Sequence, residues 1–125
     1  MAGVRRKRRH HDLLAWQRSI ELVAAAYAMT QAFPKHELYA LASQIRRAAI
    51  SVASNIAEGA ARSGKKEFLH FLSMARGSLS ELETQLIIAG KLKYLDSESE
   101  IFTRLDEAFG LIGGLMKSLR SQEEP

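Results

Sequence analysis

Glu67 and His70 stand three residues apart in the run Glu67-Phe68-Leu69-His70. On a bundle helix, Glu-x-x-His supplies half of a carboxylate di-iron site. The complete site needs a second Glu-x-x-His and two further inward glutamates. His10, His11 and His36 have no glutamate three residues before them, and His70 falls nearly opposite the apolar stripe of its own helix. The pair therefore reads as a solvated helix face. His10-His11-Asp12 offers metal-ligand types, but it borders a basic run and reads as linker. Glu81 and Glu83 point to different helix flanks and make no acid/base pair. No His-Glu-x-x-His, phosphate-binding loop, dinucleotide fingerprint or nucleophile elbow occurs. No catalytic residue, metal site or cofactor is expected, and the chain reads as a non-enzyme.

Charge carries more information. Arg5, Arg6, Lys7, Arg8 and Arg9 are consecutive. Taking these five from the 18 Lys/Arg leaves 13 against 14 Asp/Glu, a body of about −1 beside a whole-chain charge of +4. The basic character thus sits in an arm that repels itself and builds no core, so disorder is expected when it is free. Lysines and arginines that neutralise phosphates release counterions, which gives sequence-independent, salt-sensitive affinity. Arg46, Arg47, Arg62, Lys65, Lys66 and Arg76 are further candidates for contact with RNA or DNA. Lys65 and Lys66 stand near a helix start, where cations oppose the dipole. A solvated tail without a role is the competing reading of the arm.

Holding such groups requires a scaffold, and 125 residues suffice for one domain with a core. Cysteine is absent, which excludes disulfides and thiolate metal sites and suits a reducing compartment. No apolar run spans a bilayer, and Asp12, Gln17, Arg18 and Glu21 interrupt any signal-peptide core. A cytoplasmic location without membrane contact is expected.

Four helices follow the arm. The first runs from about Leu13 to Phe33, with Trp16, Ile20, Val23 and Tyr27 at helical spacing, Asp12 as cap and Pro34 as stop. The second runs from about Glu37 to Arg62, its stripe formed by Leu38, Leu41, Ile45, Ala49, Val52 and Ile56. The third, about Lys65 to Gly90, carries Phe68, Phe71, Leu72, Ala75, Leu79, Leu82, Leu86 and Ala89, with Ser63 or Gly64 at its start and Gly90 at its end. The fourth, about Glu98 to Leu119, places Ile101, Leu105, Phe109, Ile112, Met116 and Leu119 inward, with Ser97 and Glu100 at capping-box spacing. Gly110, Gly113 and Gly114 there permit close approach or mark a weak end. Short connections and no strand signal point to an all-α, antiparallel up-down four-helix bundle over residues 12–120, with a basic arm at 1–11 and a loose tail at 121–125.

The expected core includes Leu41, Ile45, Val52, Ile56, Phe71, Leu79, Leu82, Leu105 and Phe109. Tyr39, Ile50, Ala57 and Ala61 widen the apolar arc of the second helix to roughly 200°, against about 100° for a simple surface helix. A helix so apolar should be covered a second time, which makes these four residues a candidate subunit interface. Ser51, Ser54, Asn55 and Glu58 form a polar band suited to fixing register.

The run Gln44 to Gly59, QIRRAAISVASNIAEG, followed by Phe71-Leu72, Ala75, Gly77-Ser78, Glu81-Leu82 and Thr84-Gln85-Leu86, resembles the four-helix-bundle family named for proteins encoded in intervening sequences of bacterial 23S rRNA genes. Leu13, Trp16, Tyr27, Phe33-Pro34 and Tyr39-Ala40-Leu41 fit the same pattern. The resemblance covers nearly everything after the arm, and the arm itself lies outside it. It implies an antiparallel bundle that assembles into a ring-like homopentamer. It also implies kinship with the accessory variability protein of diversity-generating retroelements, which binds nucleic acid and a reverse transcriptase. The reading is therefore a non-enzymatic oligomeric bundle that binds structured RNA or other nucleic acid, an accessory-factor role being one form of it. A protein–protein scaffold with no nucleic-acid role is the alternative.

Overall fold

A computed structural model describes residues 5–123, of which residue 123 is described by its backbone alone. The expectations placed on residues 1–4 and 124–125 lie outside the described residues. Four helices form: α1 (Leu14–Thr30), α2 (Leu41–Ala60), α3 (Lys65–Lys91) and α4 (Glu100–Glu123). No strand occurs among the described residues, and no helix among them is long and apolar enough to cross a membrane.

Contacts between neighbours fix their directions. Ser51 meets Ser78, and Gly59 meets Phe68 and Phe71, so α2 and α3 are antiparallel. Glu21 meets Arg104 and Arg18 meets Glu107, which makes α1 antiparallel to α4. Thr30 meets Arg46 while Arg9, ahead of α1, reaches Ala60, so α1 opposes α2. Lys65 reaches Gln122, and Gly90 shares a cleft with Phe102, so α3 opposes α4. The chain is the expected all-α, up-down four-helix bundle.

The core runs along the bundle axis through Leu22, Ile45, Val52, Ile56, Leu72, Leu79, Leu82, Leu86, Leu105, Ile112 and Met116, all essentially inaccessible. Leu41, Phe71 and Phe109, expected inside, are half-buried and pack on its edge. On α1 the inward stripe is Ala15, Ser19, Leu22, Ala26 and Thr30, one residue out of register with the expected stripe. Ile20 and Tyr27 are exposed, and Trp16 and Val23 are half-buried. The hydroxyls of Ser19 and Thr30 donate to the carbonyls of Ala15 and Ala26, each at 2.7 Å, so neither enters the core unsatisfied.

Several helix ends differ from expectation. Asp12 does not cap α1; Leu13 occupies the cap position without a side-chain bond, and Asp12 pairs with Lys7 at 2.7 Å. Helical backbone also starts earlier, in a 3-10 turn over Arg9–Asp12. Pro34 is followed by a second 3-10 turn, Lys35–Glu37, and α2 begins only at Leu41, leaving Leu38 and Tyr39 in the connection. The Glu37 carboxylate accepts from the Tyr94 hydroxyl at 2.9 Å and lies 3.4 Å from the Leu41 amide, joining the first connection to the third. Gly64 takes the N-cap position of α3 with no side-chain bond. Ser99, not Ser97, precedes α4, and Ser121 lies within that helix.

Gly90 does not end α3. The Lys93 amide donates to the Gly90 carbonyl at 3.0 Å and the Tyr94 amide to the Ala89 carbonyl at 2.9 Å. These are the two bonds of a Schellman ending, whose left-handed residue is Lys93 at φ 65°. Close backbone approach belongs to Gly59 and not to Gly110, Gly113 or Gly114. A Cβ on Gly59 would lie 2.8 Å from Phe71 Cβ, whereas one on any of the other three would meet nothing within 4 Å.

Candidate nucleic-acid interface

The basic run begins outside regular secondary structure, with Arg8 extended, and ends in the Arg9–Asp12 turn. Part of it is engaged with the protein itself. Lys7 pairs with Asp12, and the Arg8 guanidinium donates to the Arg6 carbonyl at 3.1 Å. Arg9 donates to the Ala60 carbonyl at 3.3 Å, at the C-terminal end of α2, where the helix dipole favours a cation. Its guanidinium carbon also lies 5.4 Å from the Phe68 ring centre. Arg9 therefore anchors the arm to the α2–α3 end of the bundle. Arg5 and Arg6 form no ion pair with another described residue and are exposed.

Behind the arm, His10, His11 and Trp16 form an aromatic cluster, with His10 4.9 Å and His11 5.2 Å from the Trp16 ring centre. Burial, then His11 and Arg8 nearby, holds the His10 imidazole below its ordinary value. His11 Nδ1 accepts from the Arg8 amide at 2.9 Å and so fixes the entry to the turn. The expected linker is thus a packed joint.

The cations expected on the folded body divide into two groups. Arg46 donates to Thr30 Oγ1 at 2.8 Å and stacks 4.6 Å from the Tyr27 ring centre, tying α2 to α1. Arg62 pairs with Glu58 at 2.7 Å, approaches Glu67 at 3.9 Å and stacks on Phe71. Lys65 lies 3.4 Å from the Gln122 carbonyl near the end of α4. That carbonyl end accounts for a cation at the start of α3. Arg47, Lys66 and Arg76 are exposed and form no ion pair with a described residue. They do not converge on one patch. Lys66 and Arg76 are ten residues apart on α3, about 80° around the helix, and Arg47 opens onto the groove between α2 and α3.

The expected interface residues also separate. Tyr39 is 92 % exposed and projects from the connection before α2. Ile50 is 41 % exposed, and Ala57, two turns on, shares its outward face. Ala61 lies just beyond the helix. Three further large apolar residues that the sequence did not point to as outward are exposed: Ile20 and Tyr27 on α1, and Leu38. Tyr27, Leu38, Tyr39, Ser43, Arg46 and Arg47 border one depression, so Arg47 stands between it and the α2–α3 groove. The hidden signal was the second stripe of α1, whose small-residue alternative is the buried one.

On the opposite flank of α2, the expected polar band becomes a cross-helix link. Ser51 and Ser78 hydroxyls are 2.8 Å apart, and the Asn55 amide donates to the Ser51 carbonyl at 2.8 Å and hydroxyl at 3.1 Å. Ser54 and Glu58 remain exposed outside it. His70 is exposed, 5.6 Å from the Phe71 ring centre, and the described residues hold no cluster of three or more potential metal ligands.

A search of curated proteins finds no match. The sequence model of the 23S rRNA-intervening sequence proteins matches residues 11–114, which takes in α1, α2, α3 and most of α4 but leaves out the Arg5–Arg9 run. With that span matched and the expected four helices in place, the chain belongs to the 23S rRNA-intervening sequence protein family.

Proposed function

We propose that this protein is a non-enzymatic homo-oligomer, a pentameric ring, that binds nucleic acid through its basic arm. The observation that carries the reading is the arm itself: a cationic segment anchored by Arg9, whose Arg5 and Arg6 form no ion pair with another described residue. Anchoring holds the arm at a defined place on each bundle. A ring would then present several copies together, and weak phosphate contacts would combine by avidity. Arg47, Lys66 and Arg76 are the body cations open to further contact, whereas Arg46, Arg62 and Lys65 have internal roles.

Assembly is supported by the exposed apolar side chains Tyr27, Leu38 and Tyr39 around one depression, with Ile20 and Ile50 also exposed on α1 and α2, since exposed apolar surface of this kind favours protein contact. The same surface favours the second reading, a protein–protein scaffold. Light scattering coupled to size exclusion tests assembly, with a multiple of the 13.9 kDa protomer expected. Ile50→Asp should lower that mass by burying an unpaired charge. A wild-type protomer mass at micromolar concentration would remove the ring. Failure of the assembled protein to bind RNA or DNA at low salt would leave the scaffold reading in its place.

A further inference from the structure

Between α2 and α3 lies an open groove of about 320 Å³, lined by Gln44, Arg47, Ala48 and Ser51 on one side and Glu81 and Gln85 on the other. Gln85 is only 8 % exposed, and its Oε1 accepts no hydrogen bond from the described residues. A buried acceptor left unpaired is costly, and its presence asks for a partner from outside the chain. Ser51 is fixed at the groove by its bond to the Ser78 hydroxyl and by the Asn55 amide, which donates to its carbonyl. Arg47 stands at the groove without an ion-pair partner among the described residues, as does Glu81.

We propose that this groove takes an unpaired guanine of RNA, which rests on the nucleic-acid reading above and names the base that the bundle reads. Glu81 offers a carboxylate, an acceptor that matches two adjacent in-plane N–H donors. Guanine alone among the four RNA bases presents that pair, at N1 and its exocyclic amine. Adenine and cytosine set a ring acceptor beside their amine, and uracil flanks its single N–H with carbonyls. Guanine O6 needs a donor, which the Gln44 amide supplies, and the second N–H of the exocyclic amine is the donor that the Gln85 Oε1 lacks. Arg47 takes the phosphate as a charge-assisted partner. Single-stranded bases are read on these edges because pairing does not occupy them.

The test is an NMR titration of the full chain with the 5′-monophosphates of guanosine, adenosine, cytidine and uridine. Guanosine monophosphate should shift backbone amides around Gln44, Ser51, Glu81 and Gln85, and the other three should bind at least about tenfold more weakly. Glu81→Gln, at an exposed position, should abolish the preference. Gln85→Met should lose guanosine monophosphate binding while the free protein stays folded and at least as stable, because the orphan acceptor is gone. No shift with guanosine monophosphate, or an equal preference in Glu81→Gln, would overturn the site. Filter binding of two single-stranded RNAs of equal length, one lacking guanine, runs in parallel. Equal binding of both with no mononucleotide shift removes the groove and leaves the arm's function intact. Mononucleotide binding without capture of either RNA overturns RNA as the source of the guanine and the nucleic-acid reading with it.

Discussion

Replacing Gly59 with alanine tests the packing of the α2–α3 pair at its tightest point. The new Cβ would stand 2.8 Å from Phe71 Cβ, 3.0 Å from Phe68 Cδ1 and 3.3 Å from the Phe68 carbonyl oxygen. Carbon–carbon contacts settle at about 3.5–4.0 Å, so something must move. The Phe68 ring is buried beneath Arg9, and Phe71 Cβ is fixed to the α3 backbone. Relief therefore requires α3 to shift away from α2. Overpacking of this kind costs about 1–3 kcal/mol, and the better helix propensity of alanine returns at most about 1 kcal/mol. A 2.8 Å approach to a side-chain carbon fixed on the backbone puts the cost toward the upper end, about 2–3 kcal/mol, so the net expectation is a loss of about 1–2 kcal/mol, or a melting point lower by about 4–8 °C at this chain length. Gly77→Ala is the internal control: nothing lies within 4 Å of its Cβ position on α3, so it should gain up to about 1 kcal/mol. Denaturant melts at one fixed protomer concentration read both, since assembly makes stability concentration-dependent. A Gly59→Ala protein as stable as wild type would refute the close-approach reasoning.

Three further outcomes follow from the same geometry. Lys93 holds a left-handed conformation at φ 65°, so Lys93→Gly should raise stability by about 1 kcal/mol in denaturant melts, and a loss would contradict the Schellman ending. Val52 is fully buried, so Val52→Asp should abolish the cooperative melt and native helicity by circular dichroism; a folded variant would place Val52 outside the core. His10 binds its proton less readily in the folded chain than its ordinary value of 6.5 implies, so its contribution is intact above that pH and is lost as the pH falls below it; an NMR titration should give His10 a midpoint below that of a short peptide carrying it, and an equal midpoint would remove the packed joint.

Most of the bundle is legible in residue spacing. The stripes of α2, α3 and α4 repeat large apolar residues at three- and four-residue intervals, and their central members are buried. On α1 the same rule points the wrong way, because the larger residues Ile20 and Tyr27 face outward and the core takes Ala15, Ser19 and Ala26. Residue size alone does not choose between two stripes that both repeat at helical spacing. Gly59 could not be singled out from the other glycines, since the close approach depends on where Phe68 and Phe71 arrive from another helix. Gln85 sits between Leu82 and Ala89 on the buried side, but a polar residue carries no hydrophobic signal, so its orphaned oxygen emerges only in three dimensions. The basic run is plain in the sequence; the anchoring of Arg9 and the internal duties of Arg46, Arg62 and Lys65 are not, because their partners lie on other elements.

The most direct measurement of nucleic-acid binding is a filter-binding salt series on the full chain and on a variant with Arg5, Arg6, Lys7 and Arg8 changed to alanine, which keeps the Arg9 anchor. Binding should fall steeply as salt rises, with a slope of about 0.9 per duplex phosphate neutralised, or about 0.7 on a single strand. The variant should bind more weakly with a flatter slope and an unchanged melting point. Undetectable binding of the full chain at low salt, or a variant that binds with the same affinity and slope, would contradict a nucleic-acid role for the arm.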